Sequence, residues 1–470
     1  MAGVTTVSRV GITRRLAASV WGLRYDEIPA TALEVARHCL VDFLGCALAG
    51  AREPLVEILI AEVAEPERAT SASLIGRSER ATPMTAALIN GAAGHALDFD
   101  DTHTTMTGHP SVPVLPALLA LAEAEGTSGR QLLGALVAGV ELECRLGALM
   151  GVPHYATGFH ATATLGAFGA AAACAHLLAL DEGQWLHALG LAATQAAGLR
   201  ASFGTMAKPL HAGRAASNGL LAVLLARRGF TSQPAIVEAA HGFAATHGTP
   251  DVSEDLLETY AGRFLIRDTL FKYHAACYLT HAAVEAARAL RTDHAIDAAT
   301  ISAVEVRVAP PVLDVCNIAA PRTGLEAKFS LPATTALALR GDDTADPATY
   351  SDERVREASL IMLRDRVRVT ADSTLAPTQA RVTVEANGQR LASEADTGIA
   401  AADLTAQGER LGRKFRALAA PVLGNDRATQ LAAVAGNVDE LASIEPLLRL
   451  VRANGRSASP EAAGKGARNA

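Results

Sequence analysis

Residues 30–50 read ATALEVARHCLVDFLGCALAG, and their spacing decides the fold class. Leu33, Ala36, Leu40, Phe43, Leu44 and Ala47 recur at steps of three and four, which lays them along one stripe of a helix. Gly50 follows as the expected C-cap. The same design returns in SGRQLLGALVAGVELECRLG (128–147) and DEGQWLHALGLAATQAAG (181–198). No strand-period run of comparable length separates them. Residues 1–266 are therefore expected to form a large helical body.

Beyond residue 270 the hydrophobic period shortens to two. AVEVRVA (303–309) alternates Val304, Val306 and Val308 with Glu305 and Arg307; DRVRVTAD (365–372) and ARVTVEANGQRLASEAD (380–396) repeat the pattern. Asn387-Gly388 inside the last of these is a hairpin signal. Helical period resumes at LTAQGERLGRKFRALAAPVLG (404–424). The expectation is a mainly α chain with four parts: a large all-helical domain begins over 1–266 and is completed over 401–452. A smaller α+β lid domain over 267–400 is inserted before these C-terminal helices, and a disordered tail occupies 453–470.

Half of the 470 residues are hydrophobic, 4% are aromatic and 39 are glycine, a composition suited to helices that touch through small residues. A net charge of −7 without any basic run argues against a nucleic-acid partner. Cys39, Cys46, Cys144, Cys174, Cys277 and Cys316 contain no CxxC pair, so they read as buried thiols in a reducing compartment. The first twenty residues lack the compact apolar core of a secretory signal. The greasiest stretch, TATLGAFGAAAACAHLLAL (162–180), carries His176 and suits a buried helix better than a membrane span. A cytoplasmic location is expected. With no Walker loop and no GxGxxG between strand and helix, nucleotide chemistry has no footing.

The chemistry concentrates in GHALDFDDTH (94–103) and in GHPSVPVLP (108–116), which contains His109. Asp98, Asp100 and Asp101 would repel one another in a half-buried loop unless cations or donors stand nearby. No HExxH, CxxC or 2-His-1-carboxylate spacing appears, and His95, Asp98 and His103 follow no metal-ligand order, so no metal is expected. His160 lies in a Gly-Phe-His turn before a helix, and Lys208 precedes Pro209 at the mouth of another. His274 and His281 fall where the helical body meets the inserted unit, a usual place for a ligand cleft. All sit at element ends, whereas His38, His176 and His187 lie within helices and read as structural. Imidazoles and a lysine around one cleft suit a small di- or tricarboxylate. Cations would hold the carboxylates, and a neutral imidazole would take a proton from the adjacent carbon. A metal-dependent hydrolase built on the His/Asp cluster is the remote alternative.

Nearly the whole chain, through IPATALEVARHCLVDFLGCALAG, NGAAGHALDFDDTH, GFHATATLGAFGAAAA, AKPLHAGRAASNGLLAVLLARRGF and KFSLPATTALAL, resembles the MmgE/PrpD family. That family contains 2-methylcitrate dehydratase, cis-aconitate decarboxylase and iminodisuccinate epimerase. The resemblance implies a helical domain with an α+β lid, a homodimer, and no metal or organic cofactor. Carried over by motif, it makes Asp98, His109, His160 and Lys208 catalytic. Thr102 and His281, with His274 as the alternative lid histidine, become substrate-binding; His103, beside Thr102 in the same loop, is a further substrate-binding candidate. The loop from Asp98 to His109 is one residue longer than in the decarboxylase members. Ala333 stands where those members carry a lid tyrosine. The expected activity is lyase action on a small polycarboxylate, foremost dehydration of 2-methylcitrate or a related acid. Epimerisation of an imino- or amino-dicarboxylate and cis-aconitate decarboxylation are the alternatives.

Overall fold

The computed structural model describes residues 11–63, 72–249, 255–316 and 318–453, so the tail expected beyond 453 lies outside the described residues. The N-terminal half is built from α1 (Ile12–Trp21), α2 (Ala30–Gly50), α3 (Pro54–Val63), α4 (Pro83–His95), α5 (Ser111–Glu125), α6 (Gly129–Thr157), α7 (Ala161–Leu177), α8 (Glu182–Ala193) and α9 (Ala207–Arg227). A short ribbon of β1 (Ala72–Ser73) and β2 (Arg80–Ala81) crosses between α3 and α4. Helix α2 is central: every residue from His38 to Leu48 is buried, so the apolar stripe widens to the whole circumference. Gly50 does not cap it. A Cβ there would lie 2.0 Å from the Ala93 carbonyl oxygen, so the glycine lets α2 approach α4.

The same device holds α4 against α9. A Cβ on Gly91 would stand 2.7 Å from Gly213 Cα, and one on Gly213 would stand 2.1 Å from the Leu88 oxygen. Facing glycines thus bring two backbones into contact, which is the use this Gly-rich composition serves. The end of α4 and the start of α9 carry charged side chains into the site described below.

The second unit is a four-stranded sheet with order β4-β3-β5-β6, where β3 is Ile301–Val308, β4 Val367–Ala371, β5 Gln379–Ala386 and β6 Gln389–Asp396. β3 and β4 run parallel; the other pairs are antiparallel. Asn387 (φ 51°) and Gly388 (φ 73°) turn β5 into β6 through two left-handed residues, the geometry that matches strand twist. Helices His281–Asp293 and Leu331–Arg340 cover the sheet, their apolar residues forming one core with Val304, Val306, Val382 and Val384. Helix Leu404–Leu423 then packs back onto α2, burying Leu411 and Phe415 in the first core. The mainly α class with a small sheet-bearing unit is as expected from the sequence. Among the described residues no helix is long and apolar enough to cross a membrane, and the cysteines are free thiols.

Candidate active site

Helix α4 ends at His95, and Asp98 three residues later adopts φ 52°, a conformation non-glycine residues seldom hold. This turn exposes three successive carbonyls, and each accepts a buried ammonium group. Lys328 donates to Leu97 O, Lys272 Nζ to Asp98 O at 2.8 Å, and Lys414 Nζ to Phe99 O at 2.6 Å. Cations at the end of a helix also meet its negative pole. The three lysines come from distant parts of the chain, so the turn forms only when both units are folded.

Asp98 is the hub. Its Oδ1 receives Lys208 Nζ and Lys272 Nζ, each at 2.7 Å, and lies 3.8 Å from His109 Nε2. Burial opposes its charge, but Lys208 and Lys272 outweigh burial and hold the carboxyl well below its usual range. Burial likewise opposes the Lys272 ammonium; Asp98 and Asp100 more than compensate, and its pKa is raised. Lys414 is matched by Asp42 at 2.6 Å. Asp100 is taken up by His95, whose Nδ1 lies 2.8 and 3.0 Å from its two oxygens. The lysines thus face the carboxylates of Asp98, Asp100 and Asp42, and Lys328, driven down to about 8 by burial, is the least firmly charged.

His109, just before α5, has its ring fixed by Nδ1, 2.7 Å from the Asp101 carbonyl oxygen. A carbonyl can only accept, so the proton sits on Nδ1 and Nε2 is left as the basic nitrogen facing Asp98. His160 caps α7 at its N-terminus. Its N–H donates to Gly198 O at 3.0 Å, its Nδ1 lies 3.2 Å from His211 Nδ1, and its ring stacks 5.9 Å from that of His95. Burial, then Lys208, keeps His160 well below the ordinary imidazole range, and burial also lowers His109. His95 is driven to about 3 by burial, and its Nε2 has no partner. At neutral pH these rings are neutral bases surrounded by ammonium groups.

The structure thus brings Asp98, His109, His160 and Lys208 together. The other predicted residues are hydrogen-bonded elsewhere, although His281 still feels the Lys272 charge. The Thr102 hydroxyl donates to Gly108 O at 3.0 Å, while His103 turns away to Leu265 O at 2.8 Å. His274 is held between Thr344 (2.7 Å) and Glu285 (3.1 Å). His281 stands 3.3 Å from Ala276 O and lines a separate cleft of about 580 Å³ with Tyr273, Tyr278, Glu285 and Arg410. Sequence reasoning passed over Lys272, Lys328, His211 and the role of His95. The available signal was a lone lysine in each of the apolar runs DTLFKYHAAC and KFSLPATTALAL.

His95, Asp98, Asp100 and His109 each offer a ligand atom within 4.8 Å of one another, a closer gathering than their sequence order suggests. Asp98 Oδ1, His95 Nδ1 and Asp100 are already paired, whereas Asp98 Oδ2 and His95 Nε2 have no partner among the described residues. A divalent ion held about 2.0–2.2 Å from Asp98 Oδ1 would face two ammonium groups on the same oxygen. The set fits an internally neutralised acid/base cluster rather than a metal centre.

A cavity of about 420 Å³ adjoins the cluster, between Phe203 on one side and Phe329 and Ile318 on the lid side. Both phenyl rings face Lys208, at 5.4 and 5.3 Å, and Phe203 meets His160 edge-on at 5.0 Å. The cavity is thus separated from the Lys208 ammonium and the His160 imidazole by no more than its own apolar wall.

The sequence models of the MmgE/PrpD N-terminal and C-terminal domains match residues 14–254 and 274–440. The chain belongs to the MmgE/PrpD family. Among the relatives of this MmgE/PrpD protein is a cis-aconitate decarboxylase of Aspergillus terreus, 33% identical over 293 residues, 59% of this chain and 60% of that protein. The chain thus spans about three fifths of the length of the fungal relatives it matches. Cis-aconitate decarboxylases of Mus musculus and Homo sapiens are 28% and 27% identical, each over 94% of this chain and 93% and 94% of theirs.

Proposed function

We propose that this MmgE/PrpD protein is a lyase of small polycarboxylic acids that works by proton transfer at the carbon beside a carboxylate. One observation carries the reading: two ammonium groups meet on Asp98, the neutral His109 imidazole lies 3.8 Å from the same oxygen, and the neutral His160 imidazole lies close enough to Lys208 for that ammonium to lower its pKa. Lys208 and Lys272 would hold the substrate carboxylate and stabilise the enolate-like charge that develops. His109 Nε2 or His160 takes the proton. Asp98 keeps both lysines in place.

Loss of water from a hydroxy acid of the 2-methylcitrate class is favoured by two features: the unprotonated imidazoles suit proton abstraction, and Ala333 supplies no phenol. Ala333 is buried in the first turn of its helix, its N–H held by Ser330 Oγ at 3.2 Å. Loss of CO2 from cis-aconitate is the second reading, supported by the names of the relatives. Incubation with citrate, 2-methylcitrate, cis-aconitate and aspartate-derived acids in D2O, followed by NMR, separates them. A new alkene without CO2 release supports elimination of water, and CO2 with deuterium in the product supports decarboxylation. Deuterium exchange alone supports epimerisation and refutes the lyase reading, as does inertness towards every acid.

A further inference from the structure

Arg200 has no role in the chemistry described above, yet its backbone is locked to that of His160. Arg200 N donates to Gly158 O at 2.9 Å and His160 N to Gly198 O at 3.0 Å, with Phe159 and Leu199 bridged between them. The guanidinium lies 3.9 Å above the Tyr155 ring, and its Nη1 donates to Tyr155 O at 2.8 Å. Its Nε is buried and has no hydrogen-bond partner among the described residues. Arg200 lines the same 420 Å³ cavity as Phe203 and Phe329, the two rings that flank Lys208. The cavity thus has a stacked guanidinium in its wall, and Lys208 lies beside two of its lining rings. Asp314, the acid on the lid side of the cavity, is exposed and remains hydrated.

We propose that Arg200 is a specificity contact that binds a second carboxylate of the substrate, on the cavity side of Phe203 and Phe329, while the first is held by Lys208 and Lys272. The proposal rests on the polycarboxylate reading and narrows it to acids whose carboxylates lie on different carbons of a short chain. A guanidinium offers a planar fork matched to a carboxylate. Stacking on Tyr155 fixes that fork in advance, so little rotamer freedom is lost on binding.

The test uses two unreactive acids, tricarballylate and its monofunctional counterpart butyrate, titrated calorimetrically into the full-length protein and its Arg200→Met and Arg200→Lys variants. Methionine keeps the stem packed on Tyr155, and thermal melting confirms that each variant is folded. The expected result is tricarballylate affinity lower by roughly 10- to 100-fold in Arg200→Met and by less in Arg200→Lys, with butyrate binding unchanged within about twofold. Unchanged tricarballylate affinity in Arg200→Met, or an equal loss for both acids, overturns the role of Arg200 and leaves the polycarboxylate reading standing. Failure of the unsubstituted protein to bind tricarballylate overturns both. If Arg200→Met does not fold, Arg200→Lys decides the question by the same comparison.

Discussion

Asp101 should make this protein less stable as the solution becomes more alkaline, and Asp101→Asn should remove that dependence. Asp101 is buried within the loop that runs from Asp98 to His109. Its Oδ1 accepts the Ser111 N–H at 3.2 Å, and its Oδ2 meets the Ser111 hydroxyl at the start of α5. Burial, and then the Asp42 carboxylate, push its pKa up to about 7. In the unfolded chain the value is about 3.9. Between these values the folded protein keeps a proton that the unfolded chain has released, so stability is full below pH 4 and falls as pH rises towards 7. Each unit in that window costs about 1.4 kcal/mol, and the loss levels off above 7. From pH 5 to pH 8 it amounts to roughly 2.5 kcal/mol.

Asparagine has the same shape, can accept the Ser111 N–H and has no proton to lose. Urea midpoints of the two proteins should therefore diverge between pH 5 and pH 8, the variant gaining roughly 2.5 kcal/mol on the unsubstituted protein. His109 should keep its place, because it is held by the Asp101 main-chain carbonyl rather than the side chain. Parallel pH profiles, or an unsubstituted protein that gains on the variant above pH 7, would refute the burial argument for Asp101.

Four further perturbations probe the same site. His160→Ala should lower kcat by at least about 10²-fold without shifting the melting temperature, and near-normal turnover would remove His160 from the proton path. In the unsubstituted protein kcat/KM should stay level to below pH 6.5, because burial lowers both His109 and His160, and should decline near 8 as Lys328 loses its proton. Lys272→Met leaves Asp98 with Lys208 as its remaining lysine; urea unfolding should show a loss near the lower end of the range for a broken buried pair, about 3 kcal/mol, together with a raised KM. Gly213→Ala puts a methyl 2.1 Å from the Leu88 oxygen and must push α9 from α4, costing about 1–3 kcal/mol and displacing Lys208. A crystal structure of that variant with Lys208 still on Asp98 would contradict the link between helix packing and the site.

The elements were legible wherever a period is local. The stripe at 30–50, the alternation at 301–308 and the Asn387-Gly388 turn depend on neighbours a few residues away. Asp98, His109, His160 and Lys208 were legible because each is placed by a helix end or a proline beside it. Which way a loop residue points was not. The left-handed turn at Asp98 reverses the chain, sending Asp98 towards Lys208 and Lys272, Asp101 towards Ser111 and His103 towards Leu265. Spacing alone therefore made His103 look like a partner of Asp98. Lys272 was illegible for the opposite reason: its contact with Asp98 spans 174 positions, and nothing beside it in the sequence marks the pairing. Gly50 reads as a cap by position, but its role is set by Ala93 on another helix.

The lysines around Leu97–Phe99 tie the charge of the site to the seating of the sheet-bearing unit. Lys328 comes from the sheet-bearing unit, Lys272 from the segment leading into it, and Lys414 from the helix that returns to α2. Buried ammonium groups of this kind add little stability beyond what well-packed apolar residues of the same volume would give, because removing them from water is expensive. Their return lies in position. Asp98 can be a buried anion only while Lys208 and Lys272 are on it, and Leu97 can turn its carbonyl inward only while Lys328 meets it. Displacing the lid would strip a cation from the turn and leave a buried carbonyl unpaired, so the seated lid and the charged site stabilise each other. An apolar substitution at Lys328 would break that coupling: the lid could still pack, but the loop carrying Asp98 would no longer sense it.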